Sequence, residues 1–393
     1  MSRFDEIIDR RNTNSEKYDF AIERGKPMDA LPLWVADMDF RAPEEVLDAL
    51  QQAVAHGIFG YSEVKSEYYQ AIAGWFTKFF NWTPKEDWLL KTPGVVFAIN
   101  AAIRGLTEKR DAIMIQTPVY YPFAKSIRLN DRVVIENELV YTDGRYVMDF
   151  EDMEAKIKEH HVKMFILCSP HNPVGRVWTK RELTKFSEIC LKYHVIMVSD
   201  EIHCDFTYEG HPHTILASLS DAVADQCIVC TAPSKTFNLA GLQTSNIFIK
   251  NEFMRRRLFD AAFCQTGYYE INSLGLVASK AAYEKGEKWL FELKDYLKDN
   301  LEFVREFIKT RIPKIRLVEP DGTYLIWLDC SGLLLNDIEL DELILHKAKL
   351  WVDPGTMFGS KSGQFQRVNI TCPRSILKRA LEQLEVAVNE NQK

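Results

Sequence analysis

Four short apolar runs in this chain each end on residues able to do chemistry. "MFILC" (164–168) runs into "SPHNPVG", which carries Asn172. "VIMVS" (195–199) is followed by Asp200, with Glu201 and His203 close behind. "CIVC" (227–230) leads into "TAPSKTFNLAGL", which holds Thr231, Ser234 and Lys235. "AIMIQ" (112–116) leads into "TPVYYPF" with Tyr120 and Tyr121. Taken singly, each of these is a turn or a solvated strand end. Together they place an amide, an acid, an amine and an aromatic ring on one rim.

That set suits an aldehyde cofactor built on a pyridine ring. A lysine amine condenses with an aldehyde only when neutral, so Lys235 must be kept out of water. An aspartate facing a pyridine nitrogen keeps it protonated and makes the ring an electron sink, the role available to Asp200. Tyr120 can stack on the ring and Asn172 can donate to its phenolic oxygen. A phosphate needs backbone amides, best supplied by a helix N-terminus. "KTPGVVFAINAAIRGL" offers one, with Gly94 opening a helix so that Val95 and Val96 present N–H groups to an anion, and with hydroxyls available from Thr231 and Ser234. Pyridoxal 5'-phosphate satisfies every part of this pattern.

The elements that must position these residues are also readable. The apolar runs are short, continuous and β-branched, as strands buried on both faces of a mostly parallel sheet are. "NIFIK" (246–250) reads the same way. Between 168 and 195 lies "TKRELTKFSEICLKYH". There Thr179 and Glu182 form a capping-box pattern, and Leu183, Phe186, Cys190 and Tyr193 share one helical face. Strand, crossover helix and strand make a βαβ unit, so the centre of the chain is α/β. Ligands bind beyond the carboxyl ends of strands in such sheets, which is where the reactive residues fall. The last third changes character: a long amphipathic helix (289–312), hairpin-type strands "IRLVEP" and "TYLIWLDC", a helix "DIELDELILHKAK", a strand "RVNITC" and a terminal helix. This predicts a smaller α+β domain packed on the first.

"SPHNPVG", "SDEIH" and "APSKTFNLAGL", in this order, resemble the fold-type I pyridoxal-phosphate-dependent aminotransferase superfamily over almost the whole chain. The resemblance implies a large cofactor-binding domain over 46–285, with a smaller domain from 1–45 and 286–393. It makes Lys235 the Schiff-base lysine, Asp200 the partner of the ring nitrogen, Asn172 the donor to the ring oxygen and Tyr120 the stacking ring. Gly94, Val95 and Val96 would hold the phosphate. "FQRVNITCPR" resembles the segment carrying the arginine for the substrate carboxylate, here Arg367, which suits a bidentate guanidinium–carboxylate pair. The sequence departs from the common pattern twice. Gln243 stands where an arginine usually neutralises the phosphate, leaving amides, hydroxyls and a neighbouring subunit's Tyr61 to do so. His203 stands where tyrosine is usual, and serves either the phenolic oxygen or the packing.

With "NSEKYD" (14–19), "PLWVADMDF" (32–40) and "HGIFGYS" (56–62), these departures resemble the cystathionine β-lyase branch of the MalY/PatB type. That implies α,β-elimination from a cysteine thioether such as cystathionine, releasing a thiol, pyruvate and ammonia. It also implies a homodimer in which Tyr61 reaches the other subunit's phosphate or substrate amine; a core tyrosine beside Phe59 is the alternative. Backbone near Ala36 would cover the substrate carboxylate side. An aminotransferase would use the same residues, and a pyridoxal-fold regulator acting through protein contacts is a third reading.

Composition narrows the classes further. The net charge of -7 argues against nucleic acid, whose phosphates need a basic face, so the run at Arg255–Arg257 is read as a solvated helical patch. No apolar run approaches the ~20 residues of a membrane span, and the polar N-terminus lacks a signal sequence, so a cytoplasmic location is expected. Eight scattered cysteines fit reduced, buried thiols. Cys227 and Cys230 are spaced as C-x-x-C but read as core strand, and His211 and His213 as a loop, so no metal site is expected.

Overall fold

A computed structural model describes residues 2–267 and 270–391. Among them, seven strands form the central sheet: β1 (Leu89–Thr92), β2 (Ala112–Thr117), β3 (Val133–Glu138), β4 (Met164–Cys168), β5 (Ile196–Asp200), β6 (Cys227–Thr231) and β7 (Ser245–Phe248). Their order is β1-β7-β6-β5-β4-β2-β3. Every pairing is parallel except those of β7, which runs antiparallel to both neighbours. Strands β2, β4 and β6 are buried along their whole length, the pattern expected of strands covered on both faces. The two strands not anticipated, β1 and β3, lie at the edges. There only part of each strand is buried, so no continuous apolar run marks them.

Helix α1 (Val95–Leu106) follows β1 directly and packs its buried Ala98, Ile99, Ala102 and Ile103 on the sheet. Helix α2 (Lys180–Lys192) crosses between β4 and β5 and starts at the expected capping box: Thr179 Oγ1 accepts from Glu182 N, and Glu182 accepts from Thr179 N. Leu183, Phe186 and Cys190 are buried beneath it, while Tyr193 lies at its end and bonds to Glu154.

Helix α3 (Glu287–Arg311) opens the C-terminal part. Beyond it a second sheet contains β8 (Arg316–Val318), β9 (Leu325–Asp329), β10 (Asp353–Pro354) and β11 (Phe365–Asn369), in the order β8-β9-β11-β10 and antiparallel throughout. Helix α4 (Arg374–Glu390) follows β11. The segment 337–349, read as one helix, is an α-helical turn (Asp337–Asp341) continued by a π-helix (Glu342–Lys347).

Residues 31–40 run as a strap between the two sheets. Leu31 and Pro32 pair in parallel with Leu350 and Trp351. Asn369 Nδ2 donates to the carbonyls of Val35 (2.6 Å) and Asp37 (2.7 Å). From the side of the central sheet, Asn238 accepts from Met38 N (3.0 Å) and donates to the carbonyls of Met38 (3.0 Å) and Phe40 (2.8 Å). Asn238 has φ 58°, the left-handed conformation that asparagine tolerates better than most residues. The strap is anchored by buried charge as well: Lys17, fully buried, donates to Asp39 (2.9 Å), and Arg10 holds both Asp37 (2.5 Å) and Asp39 (2.8 Å).

Candidate active site

Below the strap, beyond the carboxyl ends of the strands, lies a cleft of about 520 Å³. It brings together Gly94, Val95, Val96, Tyr120, Asn172, Asp200, His203, Ser234, Lys235 and Arg367, together with Ala36 of the strap. Lys235 sits on a one-turn helix (Pro233–Thr236) that β6 feeds directly. The turn is held from behind by Thr236, whose hydroxyl donates to the buried Asp205 (2.6 Å). Lys235 Nζ donates to the carbonyl oxygen of Ala36 at 2.8 Å. Burial pulls its pKa down to about 8, assisted by the charge of Arg367 and opposed by Asp37 and Asp200.

Asp200 ends β5, where Oδ1 accepts from Ile202 N (3.2 Å). Burial raises its carboxyl to about 7, against the charge of Lys235. His203 is likewise buried; desolvation, then Lys235 and Arg367, push it down to about 3, so its ring is neutral. Its edge meets the Tyr324 ring at 5.3 Å. Tyr324 in turn donates its hydroxyl to Ala36 O (3.1 Å), making that carbonyl a shared acceptor.

Arg367 projects from β11 and is buried. Nη1 donates to Asn172 Oδ1 (3.1 Å), Nη2 to the Trp34 carbonyl (2.8 Å) and to the Asp353 carboxylate, and the guanidinium lies over the Phe358 ring. Its Nε and the Nδ1 of His203 are buried with no partner among the described residues.

Two expected residues stand elsewhere. Thr231 does not line the cleft; as the last residue of β6 it donates its hydroxyl to the Asn246 carbonyl of β7 (2.8 Å), so the ladder occupies it. Tyr61 lies outside the cleft of its own chain and is 93% exposed, on a segment with no regular structure, rather than packed in a core beside Phe59, which is itself exposed. Gln243 lines the cleft on the side of Gly94 in a left-handed turn (φ 51°). Residues that the sequence reading did not single out also contribute: Trp34, Asp353, Asn238 and Tyr324.

This donor set fits pyridoxal phosphate. The buried Asp200 carboxyl, raised by desolvation, suits a protonated ring nitrogen; a lysine amine lowered to about 8 suits an aldehyde; and the first turn of α1 offers Val95 and Val96 amides that have no acceptor within the helix. Among the described residues no group of three or more His, Cys, Asp or Glu side chains is arranged to hold a metal ion. Cys227 and Cys230 are buried free thiols within β6, and His213 is buried against Glu201 (2.7 Å). Arg255 and Arg257 cap backbone carbonyls at Ile249, Lys250 and Gly105, besides facing solvent.

Residues 29–384 match the model of the family described as aminotransferase class I and II. The chain belongs to that family. Within it, the chain is similar to cystathionine beta-lyase PatB of Bacillus subtilis (strain 168), at 42% identity over 98% of this chain and 100% of PatB. It is 32% identical to protein MalY of Escherichia coli (strain K12) over 99% of each chain. Its fold matches the crystal structure of the PLP-bound C-S lyase from Staphylococcus hominis with a TM-score of 0.91 and 33% identity, covering 98% of this chain and 97% of that one. Its fold is of the fold-type I kind, with a mostly parallel central sheet and a smaller second sheet.

Proposed function

We propose that this family member is a pyridoxal-phosphate-dependent carbon–sulfur β-lyase, cleaving cystathionine or a related cysteine thioether by α,β-elimination to a thiol, pyruvate and ammonia. The observation that carries this reading is the convergence of Lys235, Asp200 and Arg367 on one cleft, in a chain alignable end to end with a cystathionine beta-lyase.

Val95, Val96 and Ser234 would hold the cofactor's phosphate, Asp200 its ring nitrogen, Asn172 Nδ2 its ring oxygen and Tyr120 its face. Bound, the cofactor supplies an aldehyde and an electron-withdrawing ring that make the substrate's α-proton acidic. Arg367 binds the substrate carboxylate, with Asn172 and Trp34 fixing the plane of its guanidinium. Lys235 Nζ, whose neutral form is reached as pH rises through about 8, takes the α-proton. The Cβ–S bond then breaks; the sulfur leaves with the electron pair and is protonated to the thiol, and the remaining enamine hydrolyses to pyruvate and ammonia. The strap covers the reacting centre and limits water there. We further read the chain as a cytoplasmic homodimer, supported by the exposure of Ile58, Phe59 and Tyr61, with Tyr61 serving the other subunit's site where Gln243 leaves the phosphate without a cation. Residues 46–285 form the cofactor-binding body; 1–45 and 286–393 carry Arg367 and the strap to it.

The test is the cofactor-loaded protein with L-cystathionine and no keto-acid acceptor. Equal release of thiol and pyruvate is expected. Amino transfer to an added acceptor without thiol would make the protein an aminotransferase.

A further inference from the structure

Besides the buried Arg367 and Asp353, the cleft is lined by Trp34, Tyr121 and, at its solvent-exposed mouth, Glu16. Glu16 is paired with Arg24: Nη2 donates to Oε1 at 2.6 Å and Nη1 approaches the Glu16 carbonyl at 3.4 Å. A lone surface ion pair of this kind contributes little to stability. Here Glu16 lines the cleft, and Arg24 holds it from outside the lining. The Arg24 guanidinium lies over the Trp34 ring at 5.2 Å and near the Phe20 ring at 5.6 Å, which fixes its direction. Trp34 is stacked on Trp351 (centroids 4.6 Å apart, planes 11° apart), and its own carbonyl takes a hydrogen bond from Arg367. A single tryptophan therefore joins the proximal carboxylate clamp to the mouth pair. Tyr121 lines the same cleft; burial raises its hydroxyl's pKa, and the charges of Asp353, Arg367, Glu16 and Arg24 also reach it.

We propose that Glu16 and Arg24 form a specificity pair that reads a second zwitterionic amino-acid head on the far side of the substrate's sulfur, the distal ammonium meeting Glu16 and the distal carboxylate meeting Arg24. The proposal rests on the C–S lyase reading and narrows it to thioethers carrying amino-acid groups at both ends, as opposed to S-alkyl cysteines. Arg367 can satisfy one carboxylate, and a thioether with an amino-acid head at each end presents a second carboxylate and a second ammonium beyond it. A pre-paired cation and anion can each turn one bond outward to such a head, so neither charge is left uncompensated.

The experiment compares L-cystathionine with S-propyl-L-cysteine, which keeps the thioether chain and lacks the distal charges. Both are assayed as thiol and pyruvate release by cofactor-loaded wild type, Glu16→Gln, Arg24→Gln and Arg24→Lys. The ratio of kcat/KM for cystathionine to that for S-propyl-cysteine is expected to fall roughly tenfold in Arg24→Gln and Glu16→Gln, mostly through KM, with Arg24→Lys recovering part of it. A collapsed mouth would slow both substrates alike, and an unchanged ratio overturns the proposal. The same pair of ligands is also titrated calorimetrically into cofactor-loaded Lys235→Ala protein, with and without the mouth substitutions. Should neither compound be cleaved, the lyase reading fails, and the ratio of the two Kd values still decides the mouth pair: a tenfold shift supports it, and equal shifts overturn it.

Discussion

Lys235 Nζ donates to the carbonyl oxygen of Ala36 across 199 positions of sequence. The acceptor belongs to the strap and the donor to the turn after β6, so the amine is oriented by a segment that contributes no side chain to the chemistry. Tyr324 shares the same carbonyl. Tyr324→Phe keeps the ring packing against His203 and Phe206 and removes one hydrogen bond. We expect kcat/KM to fall roughly fivefold, the equivalent of about 1 kcal/mol, with little change in thermal stability. A loss beyond ~100-fold would mean that the hydroxyl acts on substrate directly.

The depressed pKa of Lys235 predicts how the cofactor-free protein captures an aldehyde. Burial disfavours the ammonium, and the neutral amine is the nucleophile, so capture of pyridoxal phosphate should accelerate as pH rises through about 8 and then level off. Borohydride trapping at a series of pH values, with the modified peptide identified by mass, reads this directly. A midpoint near 10.5, the ordinary lysine value, would contradict it.

Asp200 gives a stability signature of opposite origin. Its carboxyl is raised from 3.8 to about 7, so the folded cofactor-free protein binds more protons than the unfolded chain between those values. The contribution of this group to stability therefore falls as pH rises from about 4 to about 7, and its full cost applies above 7. Urea unfolding of the cofactor-free protein should show this slope, and Asp200→Asn should remove it. The same substitution should lower lyase turnover by orders of magnitude, because the ring nitrogen loses its anionic partner.

Asp39→Ala tests the anchoring of the strap. It leaves Lys17 fully buried with Asp37 at 3.7 Å as its remaining carboxylate. Breaking one side of a buried pair costs about 3–5 kcal/mol, and denaturant midpoints should register that. Loss of less than ~1 kcal/mol would show that Arg10 and Asp37 carry the strap without it.

Much of this site was legible in the sequence because parallel strands buried on both faces announce themselves as continuous apolar runs, and because ligands gather where such strands end. Asn172, Asp200 and Lys235 were placed by that rule, and the cleft contains them all. The rule treats every strand-end hydroxyl alike. It could not tell that Thr231 turns its side chain into the β6–β7 ladder, since the antiparallel direction of β7 that brings Asn246 alongside leaves no mark in "NIFIK". Edge strands β1 and β3 escaped because half-exposed strands dilute their apolar residues. Asp353 and Tyr324 have no local signal: one precedes a Pro-Gly turn and the other stands just before an apolar strand, and only tertiary packing brings them to Arg367 and Ala36.

The strap also sets an order of events during synthesis. Trp34 meets Arg367 across 333 positions, and Asp37 meets Thr371 across 334. A ribosome that has released residue 250 has supplied every strand of the central sheet, Lys235 included, while the carbonyl clamp around Ala36 still waits for β11. The contacts that would grip an amino acid are thus completed only by the last thirty residues of the chain, long after the strands that carry Lys235 and Asp200.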